Sequence, residues 1–254
     1  MTLHLVQLFP DGAALARFAH ARGLPDGDSG YVVHRALRDA FGRLAPQPFR
    51  LLDAPGKPAK LLGYGPADKA MLQEALALAE PDLDHVFPAD RIDSKAMPER
   101  FHTGVALAFE ARLCPLVRTK AITDRSRHRE LDAFLHRALG SPATPLVREA
   151  VYVEWLRERL SNGSAELLTA RMTAFALTPL VRRAHASPTG RTSTREGAPR
   201  RLLSGERRAS SRRPDVVLAG SLRVLDPDGF RELLAKGVGR HRAFGFGMLL
   251  LRPT

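Results

Sequence analysis

The order of predicted strands and helices is the feature of this sequence that most restricts its fold. In the first half, residues 2–9 alternate apolar and polar side chains, which is typical of a strand. Val33, Leu37 and Phe41 then recur at helical spacing, which predicts a helix over 30–44. The remaining predicted elements are strands at 49–53 and 59–64, a helix at 67–79 and a strand at 83–87. The resulting order is β-α-β-β-α-β.

The second half repeats this order. Residues 88–101 lack periodicity and contain two prolines, so we place a domain boundary there, between a first domain at 1–96 and a second at 97–254. The elements predicted after it are a strand at 103–114, helices at 129–139 and 145–160, strands at 166–177 and 216–224, a helix ending at Lys236 and a strand at 244–251. One inserted helix aside, the order is again β-α-β-β-α-β, which predicts an α+β protein of two tandem ferredoxin-like (RRM-like) domains.

A glycine-rich loop at 237–247 joins the last predicted helix to the last predicted strand. Its four glycines permit positive φ angles or a close approach of the backbone to a ligand. Between them, the sequence Arg240-His241-Arg242 supplies hydrogen-bond donors that suit phosphate. Loops with several glycines often only turn the chain, but the interleaved cations favour a loop that faces phosphate.

Arginine supplies most of the positive charge. Lys plus Arg total 39 against 27 for Asp plus Glu, and only six of these cations are lysines. Arginine binds phosphate in a bidentate fork and stacks on bases, which favours a nucleic-acid partner, although a genome rich in G and C also raises arginine content. Residues 182–213 hold ten arginines against two glutamates, which indicates a solvated loop, a segment that becomes ordered on RNA, or both. Its candidate RNA-binding residues are Arg182, Arg183, Arg207, Arg208, Arg212 and Arg213.

The sequence contains no recognisable cofactor motif. Cys114 is its only cysteine, which excludes an internal disulfide and a thiolate cluster and fits a reducing cytoplasm. There is no His-Glu-x-x-His pair, no P-loop and no Gly-x-Ser-x-Gly elbow, so we expect a protein that uses neither metal nor nucleotide. The first ten residues have no basic start and no long apolar run, and no later segment has transmembrane length. We therefore predict a soluble cytoplasmic protein.

Tyr31 and His34 lie on one side of the first predicted helix, and Arg35 and Arg38 extend the same face. In chemistry without a metal, RNA supplies its own nucleophile, the 2′-hydroxyl. Its attack on the adjacent phosphate requires an acid/base group, cations near the phosphorane and in-line geometry. A histidine flanked by guanidinium groups meets the first two needs, and the arginines disfavour the imidazolium. The alternatives are a structural or solvated His34 and an ordinary surface Arg38.

Four segments of the sequence resemble the CRISPR repeat-processing endoribonucleases of the CasE type, within the RAMP superfamily. Tyr31-x-x-His34-x-x-Leu37-x-x-x-Phe41 resembles their first-helix signature, and 237–247 resembles their C-terminal glycine-rich loop. Two middle segments match in the same order, Phe109-x-x-Arg112-x-x-Pro115 and Trp155-Leu156-x-x-x-Leu160. The resemblance therefore spans most of the chain, and the loop with the leucine-rich strand after it is its most specific part.

The resemblance implies a metal-independent nuclease with two ferredoxin-like domains that cuts a stem-loop in CRISPR repeat RNA. It implies 2′-hydroxyl attack, which leaves a 2′,3′-cyclic phosphate and a 5′-hydroxyl, and retention on the mature RNA as a subunit of a CRISPR effector complex. Carried over by position, His34 is the general acid/base and Tyr31 is its neighbour. The glycine-rich loop would lie near the RNA, and the arginine-rich segment would hold the stem. Further RNA-binding candidates are Arg22, Arg35, Gly237, Gly239, Arg240 and His241.

Two features depart from the CasE pattern. Arg35 and Arg38 occupy a helix face on which aromatic and small polar residues are common in that type, and the basic insertion is long. The repeat nucleases of type IV systems belong to the same broad group, and an arginine-rich centre would suit that branch. There, Arg38 and Arg242, with Arg22, would stabilise the transition state while His34 would not be the base. Two other hypotheses stay open: a non-catalytic RNA-binding subunit of the same fold, and a DNA-binding regulator that uses the arginine-rich segment as a tail.

Overall fold

A computed structural model gives the fold of the chain and describes residues 2–24, 28–53, 56–120, 128–140, 145–162, 164–181 and 210–254. Four of the predicted RNA-binding residues lie outside these ranges, so their contact with RNA stays a prediction. They are Arg182, Arg183, Arg207 and Arg208.

Four strands from the first half of the chain form one antiparallel sheet. They are β1 (His4–Leu8), β2 (Phe49–Leu52), β3 (Lys60–Gly65) and β4 (Asp93–Ala96). Their order across the sheet is β2-β3-β1-β4, and Val6 in the centre pairs with Gly63 on one side and Ser94 on the other. The first and third strands are therefore central and the second and fourth are at the edges, as in a ferredoxin-like domain.

Helices bury the apolar side chains of this sheet. They are α1 (Gly12–Ala21), α2 (Ser29–Phe41), α3 (Lys69–Ala77) and α4 (Asp82–Val86). In α2 the apolar residues at helical spacing, such as Val33 and Leu37, join one core cluster with Val6 and Leu8 of β1. Because this packing fixes the buried face of α2, it also fixes which side chains the helix presents on its other side.

The second half contains a second antiparallel sheet with the same strand order. Its strands and helices are β5 (Ala106–Leu113), β6 (Leu116–Lys120), β7 (His128–Asp132), α5 (Ala133–Gly140), α6 (Arg148–Leu160), β8 (Ala165–Val181), β9 (Ser210–Val224), α7 (Pro227–Lys236) and β10 (Leu249–Pro253). The sheet order is β10-β5-β9-β8, and β6 and β7 form a separate two-stranded hairpin. Two units of one topology follow each other in the chain, which confirms the predicted α+β fold with tandem ferredoxin-like units.

Several elements predicted from the sequence are wrong in type or position. Residues 83–87 fall largely in the short helix α4, and the last strand of the first sheet is β4, inside the segment we interpreted as a domain boundary. The prediction lacked α1 and the β6–β7 hairpin, placed 129–132 in a helix, and began the final strand at 244, whereas β10 begins at Leu249. β4 gave no signal because three of its four residues are exposed, so it has no apolar alternation. The division of the chain at residue 96 itself stays a prediction.

Among the described residues, a hydrogen bond and an ion pair join the halves of the chain. The hydroxyl of Tyr64 in β3 donates a hydrogen bond to the carbonyl oxygen of Leu249 in β10 at 2.9 Å, in a buried position. Nη2 of Arg50 in β2 lies 2.8 Å from Oε1 of Glu110 in β5. These contacts, together with the packing of Tyr64 into the core of the second unit, hold the first unit against β5 and against β10, the strand that follows the glycine-rich loop.

No helix in the described ranges combines the length and the apolar character needed to cross a membrane. The same ranges contain no group of three or more His, Cys, Asp or Glu side chains placed to hold a metal ion.

Candidate active site

The side of α2 that faces away from the core carries Tyr31, His34, Arg35 and Arg38, as the sequence predicts. These positions follow the spacing i, i+3, i+4 and i+7, so their side chains lie along one stripe. Tyr31 and His34 are half-buried, and Arg35 and Arg38 are exposed. The helix starts just before the stripe, because Oδ1 of Asp28 accepts a hydrogen bond from the backbone N–H of Tyr31 at 2.9 Å. We call these four residues the α2 stripe.

Phe244 of the glycine-rich loop lies against the α2 stripe. Its ring centroid is 6.0 Å from that of Tyr31 and 5.5 Å from that of His34, and the His34 contact is edge-on at 86°. The loop can approach the helix because residue 30 is glycine: a Cβ there would lie 2.4 Å from the carbonyl oxygen of Phe244. The structure therefore brings together two motifs that are far apart in the sequence.

Close packing determines the path of the glycine-rich loop. Gly239 has φ +78°, and a Cβ at this position would lie 2.6 Å from the indole ring of Trp155 in α6. Gly237 ends α7 with φ +73°. The close approach at Gly239 is to a side chain of the protein itself, so packing of the loop requires glycine at 239 even without a bound RNA. Contact of Gly237 and Gly239 with RNA stays a prediction.

The surroundings of His34 favour its neutral form. Burial lowers the pKa of the imidazole below its usual 6.5, and the positive charges of Arg38 and then Arg35 lower the pKa further. At neutral pH the ring is therefore uncharged, and one of its nitrogens can accept a proton. The direction of this shift is the one expected from the sequence.

The other side chains of the α2 stripe differ in how they are held. Nε of Arg35 lies 2.9 Å from Oδ1 of Asp39, one turn further along the helix. Within the part of the chain that the structure describes, the guanidinium of Arg38 and the hydroxyl of Tyr31 make no hydrogen bond or ion pair. Both groups can therefore donate hydrogen bonds to a ligand without breaking a polar contact to the described part of the protein.

Arg22 and Arg242, which the sequence grouped with Arg38, have protein partners. Nε of Arg22 lies 3.4 Å from Oδ2 of Asp39, and its guanidinium also forms an ion pair with Glu80. Arg242 lies in a 3-10 turn, residues 242–244, that contacts α2, and its Nη1 donates to the carbonyl oxygen of the last residue of α7 at 2.6 Å. Arg22 thus holds Asp39, the partner of Arg35, and Arg242 ties the glycine-rich loop to the end of α7. A catalytic role for either arginine stays a prediction.

Three of the predicted RNA-binding residues converge on Glu130 in β7, whose side chain is only 7% exposed. Nη2 of Arg240 lies 2.7 Å from Oε1 of this carboxylate. Nη2 of Arg213 and Nε2 of His241 lie 3.4 Å and 3.6 Å from Oε2. Arg212, the neighbour of Arg213 in β9, is exposed. We call Glu130 and the three side chains that converge on it the Glu130 cluster, and contact of Arg212, Arg213, Arg240 and His241 with RNA stays a prediction.

Phe244 and Glu130 were not among the residues that the sequence analysis proposed for the site. An aromatic residue between the second and third glycines of a functional loop was a usable signal for Phe244. Glu130 gave no signal, because it falls in a segment with the pattern of a helix and its partners come from distant parts of the chain.

A protein family described as CRISPR associated protein matches residues 3–253 of the chain. The chain belongs to this family. The matched range includes both sheets, the α2 stripe and the glycine-rich loop of this CRISPR-associated chain.

Solved structures of the same fold cover nearly all of the CRISPR-associated chain. The CRISPR endoribonuclease Cse3 bound to a 19-nucleotide RNA is 20% identical, with a TM-score of 0.63 and coverage of 100% of both chains. Cas6e from Escherichia coli K-12 is 17% identical, with a TM-score of 0.55 and coverage of 99% of this chain and 100% of that one. A chain of a CRISPR RNA-guided surveillance complex is 16% identical, with a TM-score of 0.56 and the same coverage.

These likenesses confirm the tandem ferredoxin-like fold, and together with the family match they confirm the resemblance to the CasE type. No curated protein matches the sequence. Assignment to the type IV branch stays a prediction.

Proposed function

We propose that the chain is an endoribonuclease that cuts the stem-loop of CRISPR repeat RNA by attack of a 2′-hydroxyl. The observation that carries the proposal is the half-buried, neutral His34, which lies edge-on to Phe244 on the same stripe as Arg38, whose guanidinium has no polar partner among the described residues. A proton acceptor and a mobile cation on one helix face are what this reaction requires. Two observations support CRISPR RNA as the substrate class. The chain belongs to a CRISPR-associated family, and it shares its fold with the endoribonuclease Cse3 in complex with RNA.

In the proposed reaction His34 accepts the proton of the 2′-hydroxyl as the oxygen attacks the adjacent phosphorus. The bond between phosphorus and the 5′-oxygen breaks, that oxygen takes up a proton from solvent, and His34 afterwards releases its proton to solvent. The products are a 2′,3′-cyclic phosphate and a 5′-hydroxyl. Arg38 stabilises the extra negative charge of the phosphorane, and the Tyr31 hydroxyl donates to a phosphate oxygen. No step of this scheme uses a metal ion or another cofactor.

The proposal assigns most of the rate enhancement to proton transfer and to positioning. A well-placed general base typically contributes about 10²- to 10⁴-fold, and one removed charge-stabilising donor costs roughly 10²- to 10³-fold. Because Arg22, Arg35 and Arg242 are held by protein partners, Arg38 is the guanidinium of this region best able to reach the scissile phosphate.

We further propose that the enzyme stays on its product as a subunit of a CRISPR effector complex in the cytoplasm. The net charge of +12 and the arginine-rich segment favour tight binding to a polyanion, and one chain of the same fold comes from a CRISPR RNA-guided surveillance complex. Slow cleavage is compatible with such a role, because each molecule needs to cut only one RNA.

The test is cleavage of hairpin RNAs from CRISPR repeats by the purified protein in EDTA. Wild type should cut the matching hairpin at one position. His34→Ala should bind it with nearly unchanged affinity and cut it far more slowly. His20→Ala, an exposed histidine on α1, is the matched control and should behave as wild type.

Two results would contradict the proposal, and each would favour a different function. Tight binding of the hairpin without any cleavage by wild type would indicate a structural RNA-binding subunit. Equal or tighter binding of duplex DNA, with no preference for a 2′-hydroxyl, would indicate a DNA-binding regulator.

A further inference from the structure

We propose that Glu130 is a positioning residue of the cleavage site, whose carboxylate holds the glycine-rich loop so that Phe244 packs on His34. Glu130 touches no reacting atom in this proposal and acts through the loop. The inference rests on the proposed function, because it assigns a role in the same reaction to a residue outside the α2 stripe.

The contacts of Glu130 reach the first two residues of the loop's basic tripeptide and one strand of the second sheet. Its Oε1 is paired with Arg240, and its Oε2 lies between Arg213 and His241. Its backbone carbonyl also accepts a hydrogen bond from Nη1 of Arg213 at 3.2 Å. One carboxylate, almost fully buried, is therefore shared by side chains of β9 and of the glycine-rich loop.

A series of ring contacts connects this carboxylate to the α2 stripe. The His241 side chain is 7% exposed, and its ring centroid lies 6.0 Å from that of Phe244 at an interplanar angle of 31°. Phe244 in turn contacts Tyr31 and His34. A displacement of His241 would therefore be passed to the ring that packs on the proposed base.

The charges and backbone of the loop show why a carboxylate is needed there. Two guanidinium groups lie around Glu130, that of Arg213 mostly buried, and without the negative charge between them they would repel each other. His241 also has φ +58°, a left-handed conformation that residues other than glycine rarely adopt. The contacts with Glu130 and Phe244 hold the residue in that conformation.

The hairpin that carries Glu130 is itself anchored beside the loop. Nε1 of Trp155 donates a hydrogen bond to the carbonyl oxygen of Leu116 in β6 at 3.1 Å, and the same indole ring fills the space next to Gly239. The β6–β7 hairpin therefore holds the glycine-rich loop at two points, through Trp155 at Gly239 and through Glu130 at the basic tripeptide.

The experiment compares wild type with Glu130→Gln, Glu130→Asp and the control Glu166→Gln. The control removes the same charge from an exposed ion pair with Arg223, away from the loop. We measure the single-turnover rate of hairpin cleavage, the Kd for a hairpin with 2′-deoxyribose at the cut position, and the emission of Trp155, the only tryptophan, which reports on the loop through Gly239.

Glu130→Gln should cut about 10- to 100-fold more slowly, because a displacement of about 1 Å is enough for such a loss. Its Kd for the uncleavable hairpin should be unchanged or lower, since a negative charge is removed, and the Trp155 emission should change. Glu130→Asp, which keeps the charge, should recover part of the rate, and Glu166→Gln should match wild type. A merely structural role would instead weaken binding and cleavage together.

The inference is overturned if Glu130→Gln cleaves at the wild-type rate, whatever the Trp155 emission does. It is also overturned if binding falls in proportion to the rate. If Glu130→Gln does not fold, Glu130→Asp decides by the same criteria. Failure of wild type to cleave any repeat hairpin overturns the proposed function itself, and the Trp155 emission then still shows whether Glu130 holds the loop.

Discussion

Replacing Gly239 by alanine should damage the molecule in two separable ways. The residue has φ +78°, and a side chain in the left-handed region costs roughly 1–2 kcal/mol. The added methyl group would also lie 2.6 Å from Cη2 of Trp155, whose side chain is buried and fixed by its hydrogen bond to Leu116. Because the buried ring must shift or the loop must move to admit the methyl group, the overpacking should cost a further 1–3 kcal/mol or so.

Gly104→Ala isolates the first effect, the cost of the backbone conformation. Gly104 has φ +84°, but a Cβ there would meet no atom within 4 Å, so this variant should lose only the backbone contribution. The difference between the two variants is then about 1–3 kcal/mol, which corresponds to roughly 2–12 °C in Tm for a chain of this length.

Thermal unfolding of both variants, followed by circular dichroism, measures this difference. Gly239→Ala should also shift the Trp155 emission and slow hairpin cleavage, because the loop that carries Phe244 must move. Equal Tm values for the two variants, with wild-type cleavage by Gly239→Ala, would refute the claim that close packing on Trp155 positions the loop.

Three further changes test other parts of the structure. His34→Ala should reduce the single-turnover cleavage rate by about 10²- to 10⁴-fold while hairpin affinity stays within a few-fold, and equal losses of both would point to a binding role. Arg38→Ala should move the acid limb of the pH–rate profile to higher pH. Arg38 lowers the pKa of His34, so without it the base becomes neutral only at higher pH, and an unshifted limb would argue against His34 as the base. Tyr64→Phe removes the hydrogen bond to the buried carbonyl of Leu249 and should cost about 1–3 kcal/mol, seen as a lower Tm; an unchanged Tm would show that this contact between the two halves does not stabilise the protein.

The duplicated topology could be predicted because most strands and helices of both units show the alternating or helical spacing of apolar residues expected for them. In α2, the apolar residues that recur at helical spacing are the ones buried in the core. The residues on the other side of the helix, the α2 stripe, could therefore be predicted from the same spacing. The prediction for residues 83–87 was wrong because the segment is only five residues long, a length at which a short apolar stretch does not distinguish a strand from one turn of helix. The edge strand β4 was not predicted because it is mostly exposed and has a polar sequence, so no apolar alternation marks it.

The α2 stripe and the glycine-rich loop could each be recognised from the sequence, but their contact could not. It depends on the absence of a side chain at Gly30, where the carbonyl of Phe244 approaches. No local pattern records that approach. The Glu130 cluster was hidden for the same reason, since Arg213, Arg240 and His241 meet one carboxylate only after β7, β9 and the loop have packed.

The most direct test of the proposed reaction is a scan of the repeat hairpin in which each nucleotide in turn carries 2′-deoxyribose, with cleavage measured in EDTA. The account predicts that one substitution abolishes cleavage without weakening binding, and that the unmodified RNA yields a 2′,3′-cyclic phosphate at that nucleotide. Cleavage that survives every single substitution would contradict 2′-hydroxyl attack, and with it the role assigned to His34.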